Sequence, residues 1–198
     1  MAGNGKSLIL SFDDGPTPVN PLMKILQTLQ QNNIKAEFYV LGTKVKQNPS
    51  YAKMIVNAGH KVQVHSWEHI DLTKVSKETV QSQLEQTRQE IFKATGVNPT
   101  RIRPPYGAGG WPGHYNRNLA DVASGLSLAI QNWDIDTEDW KAPKGIKGAK
   151  ITMIENQFKH NGSKTRLNVL MHVQDETSQD LQSFINVLKG WGYTFAMP

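Results

Sequence analysis

The sequence predicts an α/β fold with a mostly parallel sheet, and two patterns carry that prediction. Short apolar runs alternate with stretches of helical periodicity along all 198 residues. Polar residues able to do chemistry collect at the C-terminal ends of the apolar runs, which is the rim where folds of this class place their sites. About seven alternations fit an open or closed barrel.

The predicted strands, in order, are SLILSF (7–12), AEFYV (36–40), KVQVH (61–65), TRIR (100–103), SLAIQNW (127–133), NVLMH (168–172) and YTFA (193–196). Between the first two, Leu22, Ile25, Leu26 and Leu29 recur at helical spacing and form one apolar stripe. Val80, Leu84, Thr87 and Ile91 make a second stripe, followed by the stop signals Gly96 and Pro99. Leu181, Phe184, Ile185 and Leu188 make a third, closed by Gly190. No linker and no internal repeat interrupts the pattern, so a single domain over 1–198 is expected.

Composition narrows the function classes. A hydrophobic content of 38% and a charged content of 20% describe an ordinary globular protein. No apolar run approaches the ~20 residues of a membrane span. The start, MAGNGK, has no apolar signal-peptide core; it reads as a native cytoplasmic start or, the favoured expectation, as a flexible start over residues 1–6 from which a leader has been trimmed. With no cysteine in the chain, disulfides and thiolate metal ligands are excluded. The net charge of +5 is carried by scattered lysines, which form no basic stripe, so no nucleic-acid partner is expected.

Chemistry concentrates in five clusters. The first strand ends in Asp13-Asp14-Gly15-Pro16, the third in His65-Ser66-Trp67-Glu68-His69, and the fourth in Arg103-Pro104-Pro105-Tyr106-Gly107. The fifth leads into Asp134-Ile135-Asp136-Thr137-Glu138-Asp139-Trp140, and the sixth ends in Leu170-Met171-His172. His65 and His69 are four apart, which on a helical turn brings both imidazoles to one face. Two such nitrogens and one carboxylate suit a divalent metal and leave positions open for water and substrate. Alone, the histidine pair is unspecific; an aspartate on the same rim strengthens the metal reading.

The adjacent acids then become intelligible. A dication would hold one carboxylate as a ligand, leaving its neighbour free to act as a base on metal-bound water. The residues themselves do not say which aspartate does which. Arg103 could orient the free carboxylate and keep it ionised. His172 ends an apolar strand, where a structural histidine is the plain alternative; opposite an acid such as Asp139 it would favour the protonated form that a general acid needs.

SFDDGP, HSWEH, RPPYG, DTEDW and LMH, in this order, resemble the polysaccharide deacetylases with a NodB-type domain, carbohydrate esterase family four. The resemblance runs from about Ser7 to Phe195. It implies a single-domain deformed (β/α) barrel and a metal-dependent hydrolase that removes N-acetyl groups from a β-1,4-linked glycan such as chitin, chito-oligosaccharide or peptidoglycan. By this resemblance Asp14, His65 and His69 are the metal ligands, with Zn²⁺ the expected ion and Co²⁺ or another divalent transition metal able to substitute. It makes Asp13 the catalytic base, Arg103 its tether, His172 the general acid and Asp139 the residue that tunes it. The main-chain N–H of Tyr106 would stabilise the oxyanion, and Tyr106, Trp140 and Leu170 would line the acetyl pocket. Trp67 and Trp111 are candidate walls of sugar subsites, with local packing as the alternative.

Two positions depart from the family pattern. Val64 precedes the first metal histidine where many relatives have Asn, and Val173 follows the acid histidine where Asp is common. An O-deacetylase of the same fold, an acetyl xylan esterase, shares the expected acetyl pocket, and an inactive sugar-binding homologue is a further alternative. Because the implied substrate lies outside the cytoplasm, a secreted, cell-envelope or periplasmic monomer is expected.

Overall fold

Eight strands and seven α-helices follow one another along the computed structural model, which describes residues 5–198. In chain order they are β1 (Ser7–Gly15), α1 (Val19–Gln31), β2 (Ala36–Leu41), α2 (Gly42–Gln47), α3 (Pro49–Asn57) and β3 (Lys61–Ser66). There follow α4 (Lys77–Thr95), β4 (Arg101–Ile102), α5 (Arg117–Gly125), β5 (Ala129–Ile130) and β6 (Ile135–Asp136). The chain closes with α6 (Ala149–His160), β7 (Arg166–His172), α7 (Asp175–Gly190) and β8 (Thr194–Phe195). The expectation for residues 1–4 lies outside the described residues.

All seven predicted strands are present, and the class is α/β with parallel pairing, as the alternation requires. The eighth strand, β6, falls just past the stretch that reads as the fifth. It sits in the polar run 134–139, where Ile135 is the only apolar residue, so no apolar run marks it as a strand.

The chain divides into two compact units. One comprises the residues up to Asp13, Thr17–Glu37 and Trp133–Pro198. In it β1 lies between β7 and β8, with β6 beyond β7, all parallel. Leu8, Leu10 and Phe12 of β1 are wholly buried, as are Leu22, Ile25 and Leu29 on α1 and Leu181, Phe184, Ile185 and Leu188 on α7. These belong to the stripes that periodicity picks out, and α1 and α7 pack against each other. The β1–β7 register runs from Ser7 against Arg166 to Asp13 against His172.

The other unit comprises Asp14–Pro16 and Phe38–Asn132, with strand order β2-β3-β4-β5. Helix α4 is its organiser, packing on α2, α3, β3 and α5. Ser76 caps α4 by accepting from Thr79 N–H, and Gly96 ends it in the left-handed conformation.

Candidate active site

Asp14, His65 and His69 converge. Asp14 Oδ1 is 3.4 Å from His65 Nε2 and 3.4 Å from His69 Nε2. A charge-assisted hydrogen bond would be ~2.8 Å, so these atoms face a common point more than one another. Two ligands held ~2.05 Å from one zinc ion at a tetrahedral angle lie ~3.4 Å apart. Both Asp14–histidine distances are therefore compatible with one shared metal ion, and all three ligand atoms lie within 4.8 Å of one another.

The backbone that delivers them is locally unusual. Asp14 has φ 65° and His69 φ 64°, both in the left-handed region that residues other than glycine rarely adopt. At Asp14 this breaks strand alternation at the end of β1. The helical turn expected between the histidines is absent, and that expectation is corrected. His65 is the penultimate residue of β3, and the chain then bends, with Ser66 Oγ accepting from His69 N–H at 2.9 Å. A four-residue spacing brings side chains together on a bend as well as on a helix; the sequence spacing cannot distinguish them.

Outer partners fix both rings. His65 Nδ1 donates to the Arg103 carbonyl at 2.7 Å, which leaves the Nε2 lone pair directed at the triad centre. His69 Nδ1 meets Tyr106 Oη at 3.3 Å, and that hydroxyl donates to His69 O at 3.4 Å. The Tyr106 ring stands edge-on to the His69 ring with centroids 4.8 Å apart. Tyr106 is itself left-handed at φ 61° and 68% exposed. Three left-handed residues in one small site mark stored backbone strain, which concentrates where geometry serves function.

Arg103 is wholly buried. Its main-chain N–H donates to Val64 O, its Nε donates to Gln131 O at 3.1 Å, and its guanidinium carbon lies 4.0 Å from the Tyr39 ring centroid. Lys44, which sequence reasoning missed, donates from Nζ to the Asp14 carbonyl at 2.7 Å. Burial pushes its ammonium below the ordinary lysine range, and the charge of Asp14 opposes that shift. Trp67 packs on Gly42, where a Cβ would fall 2.2 Å from the indole Cε3, and Lys46 Nζ sits 5.7 Å from its ring centroid. Trp111 is 40% exposed.

The second cluster lies in the other unit. Asp139 is wholly buried, and its two oxygens accept three hydrogen bonds. His172 Nδ1–H donates to Oδ1 at 2.7 Å, His172 N–H to Oδ2 at 2.8 Å, and Thr177 Oγ1–H to Oδ2 at 2.5 Å. With Nδ1 committed as donor, Nε2 is the atom left to carry or release a proton. Asp13, also buried, is the ladder partner of His172, and its carbonyl accepts from Val173 N–H at 3.1 Å. Asp136 has its carboxyl held above the usual range, chiefly by burial; the Glu138 N–H and His172 pull the other way. Leu170 is buried and Trp140 is 49% exposed. Thr177 escapes sequence reasoning, because no short-range signal marks a threonine in the first turn of α7 as a partner of an acid 38 residues upstream.

Residues 1–130 match the family model described as polysaccharide deacetylase. The chain belongs to that family. Peptidoglycan-N-acetylglucosamine deacetylase PgdA of Listeria monocytogenes is 39% identical over 197 residues, covering 98% of this chain and 38% of that protein. The chain thus spans well under half the length of that polysaccharide deacetylase. Among solved structures, the family 4 carbohydrate esterase from Streptomyces lividans in complex with acetate matches with a TM-score of 0.81 and 28% identity, covering 97% of this chain and 92% of that one. A CE4 family pseudoenzyme from Bacillus anthracis matches with a TM-score of 0.79 and 28% identity, over 96% of this chain and 63% of that one. The fold is that of the family-four polysaccharide deacetylases, whose deformed (β/α) barrel the sequence motifs imply.

Proposed function

We propose that residues 1–198 form the single catalytic domain of a metal-dependent N-deacetylase acting on N-acetylglucosamine units of a β-1,4-linked glycan, with release of acetate. The observation that carries this reading is the Asp14–His65–His69 triad, with a second carboxylate, Asp13, next in the chain. The names of the relatives agree with it: the Listeria protein is a peptidoglycan deacetylase, and two Cryptococcus neoformans relatives are chitin deacetylases.

Asp14, His65 and His69 would hold Zn²⁺, which when bound supplies a Lewis acid for the acetyl carbonyl and a more acidic water. The remaining chemistry belongs to the chain. Asp13 takes the proton of the attacking water as general base. Arg103, its guanidinium stacked on Tyr39 and bonded to Gln131 O, is the residue we assign as the tether of Asp13. The Tyr106 main-chain N–H donates to the oxyanion. His172, with Nδ1 held by Asp139, delivers a proton from Nε2 to the departing nitrogen. We assign Tyr106, Trp140 and Leu170 to the acetyl pocket and Trp111 and Trp67 to the sugar subsites, as the family resemblance implies.

The likeness to a pseudoenzyme makes competence a question of individual residues. Here every assigned position carries a side chain able to perform its step, which favours activity. The substrate places the enzyme outside the cytoplasm, and it acts as a monomer. An acetate-release assay on chito-oligosaccharides, peptidoglycan and acetylated xylan, with and without Zn²⁺, tests the reading. Metal-dependent release from the first two is expected. Release from xylan alone would turn the assignment to O-deacetylation, and release from none would overturn it.

A further inference from the structure

Helix α6 turns one face towards the segment that carries Asp139, and it holds that segment by side-chain bonds to backbone. Lys150, Gln157 and Asn161 lie seven and four residues apart, a spacing that aligns them on one side of a helix. Asn161 Nδ2 donates to Asp134 O at 3.2 Å. The Gln157 amide bonds both polar groups of the Asp136 main chain, accepting from Asp136 N–H and donating to Asp136 O, each at 2.8 Å. It thereby takes the place of a neighbouring strand along β6. Lys150 Nζ donates to Glu138 O at 2.6 Å and to Lys141 O at 2.7 Å, so it spans both ends of the turn Glu138-Asp139-Trp140-Lys141.

Lys150 is an odd residue for its place. It is the second residue of α6, where the helix dipole disfavours a cation, and the first turn has no acidic side chain to compensate. The two short charge-assisted bonds give it a reason to be there. The turn it spans begins at Glu138 with φ 49°, another left-handed residue. Within that turn Asp139 grips His172, and the next residue, Trp140, stands half exposed.

We propose that Lys150 and Gln157 are positioning residues: from one face of α6 they hold the turn that aims Asp139 at His172 and sets Trp140 beside it. Neither touches the reacting atoms. The inference rests on the deacetylase reading for its kinetic consequence, though not for its structural one.

Lys150→Met retains the length of the side chain and loses both bonds; Lys150→Arg can restore them. In Lys150→Met we expect kcat to fall roughly tenfold while KM and bound zinc change less than about twofold. Lys150→Arg is expected to recover most of the loss, and Gln157→Met to resemble Lys150→Met. By NMR, the low-field Nδ1 proton of His172, which reports its bond to Asp139, should broaden or move in Lys150→Met. An unchanged Nδ1 proton and unchanged kcat, with only a lower Tm, would overturn the proposal and leave Lys150 merely structural. If the wild-type protein releases acetate from no glycan, the deacetylase reading fails, and the NMR comparison still decides the positioning claim by itself.

Discussion

Asp13 and His172 are directly opposed on adjacent parallel strands, the last pair in the β1–β7 register. Ladder partners project side chains from the same face of a sheet. The two residues assigned as base and acid are thus delivered by one backbone ladder, with no loop between that could separate them.

Asp13→Asn should therefore abolish turnover while leaving the ladder, and the metal triad that begins at the next residue, intact. A loss of roughly 10²–10⁴-fold in kcat is expected, the usual worth of a positioned base. His172→Gln should cost a similar factor. Zinc stoichiometry near wild type in both, measured beside acetate release, is the check; appreciable residual turnover in Asp13→Asn would sink the base assignment.

Chelation should remove activity, and Zn²⁺ should restore it. The metal should also raise Tm, since a ligand that binds only the native state stabilises it by about 2.7 kcal/mol at a free concentration about 100 times Kd. His65→Ala should abolish that shift. Full activity after exhaustive dialysis against a chelator would contradict the metal assignment.

Asp136 predicts a pH dependence of stability. Burial raises its carboxyl pKa in the native protein, so the folded state binds that proton more tightly than the unfolded chain does. Its contribution is favourable at low pH and is lost as pH rises above the ordinary aspartate range through the raised value. Asp136→Asn keeps an oxygen acceptor for the Glu138 N–H and cannot ionise. Its Tm relative to wild type should therefore climb as pH rises from the ordinary aspartate range through the raised value. A difference that stays flat, or falls, over that window would refute the assignment.

Gly42→Ala should destabilise the fold. The new methyl would meet the Trp67 ring at 2.2 Å and Thr87 Oγ1 at 2.7 Å, and neither is a flexible chain end. Overpacking of this kind costs about 1–3 kcal/mol, to be read as a lowered midpoint in urea at constant m-value. A neutral result would mean that Trp67 is free to swing off α2.

Much of the fold is legible in the sequence because burial imposes a period. Leu22, Ile25 and Leu29, or Leu181, Phe184 and Ile185, read as buried helix faces from their spacing alone, and all are wholly buried. The helices α2, α3, α5 and α6 give no such reading, since their stripes are short or mixed with polar residues. The strand β6 escapes because Ile135 is the only apolar residue in the run 134–139. The candidate residues Asp13, Asp14, His65, His69, Asp139 and His172 are legible at the strand ends from motif order, and the structure brings Asp14, His65 and His69 together.

The sequence by itself determined the α/β class, the buried helix faces and the inventory of acids and histidines at the strand ends, because hydrophobic periodicity and residue chemistry are local properties. Only the tertiary structure decided how those residues meet. It replaced a helical turn between His65 and His69 with a bend closed by Ser66. It brought Thr177 to Asp139, Lys44 to the Asp14 carbonyl, and Lys150 and Gln157 to the turn around Asp139. A hydrogen bond between residues distant along the chain depends on the packing of whole elements, and that packing leaves no mark in the local order of amino acids.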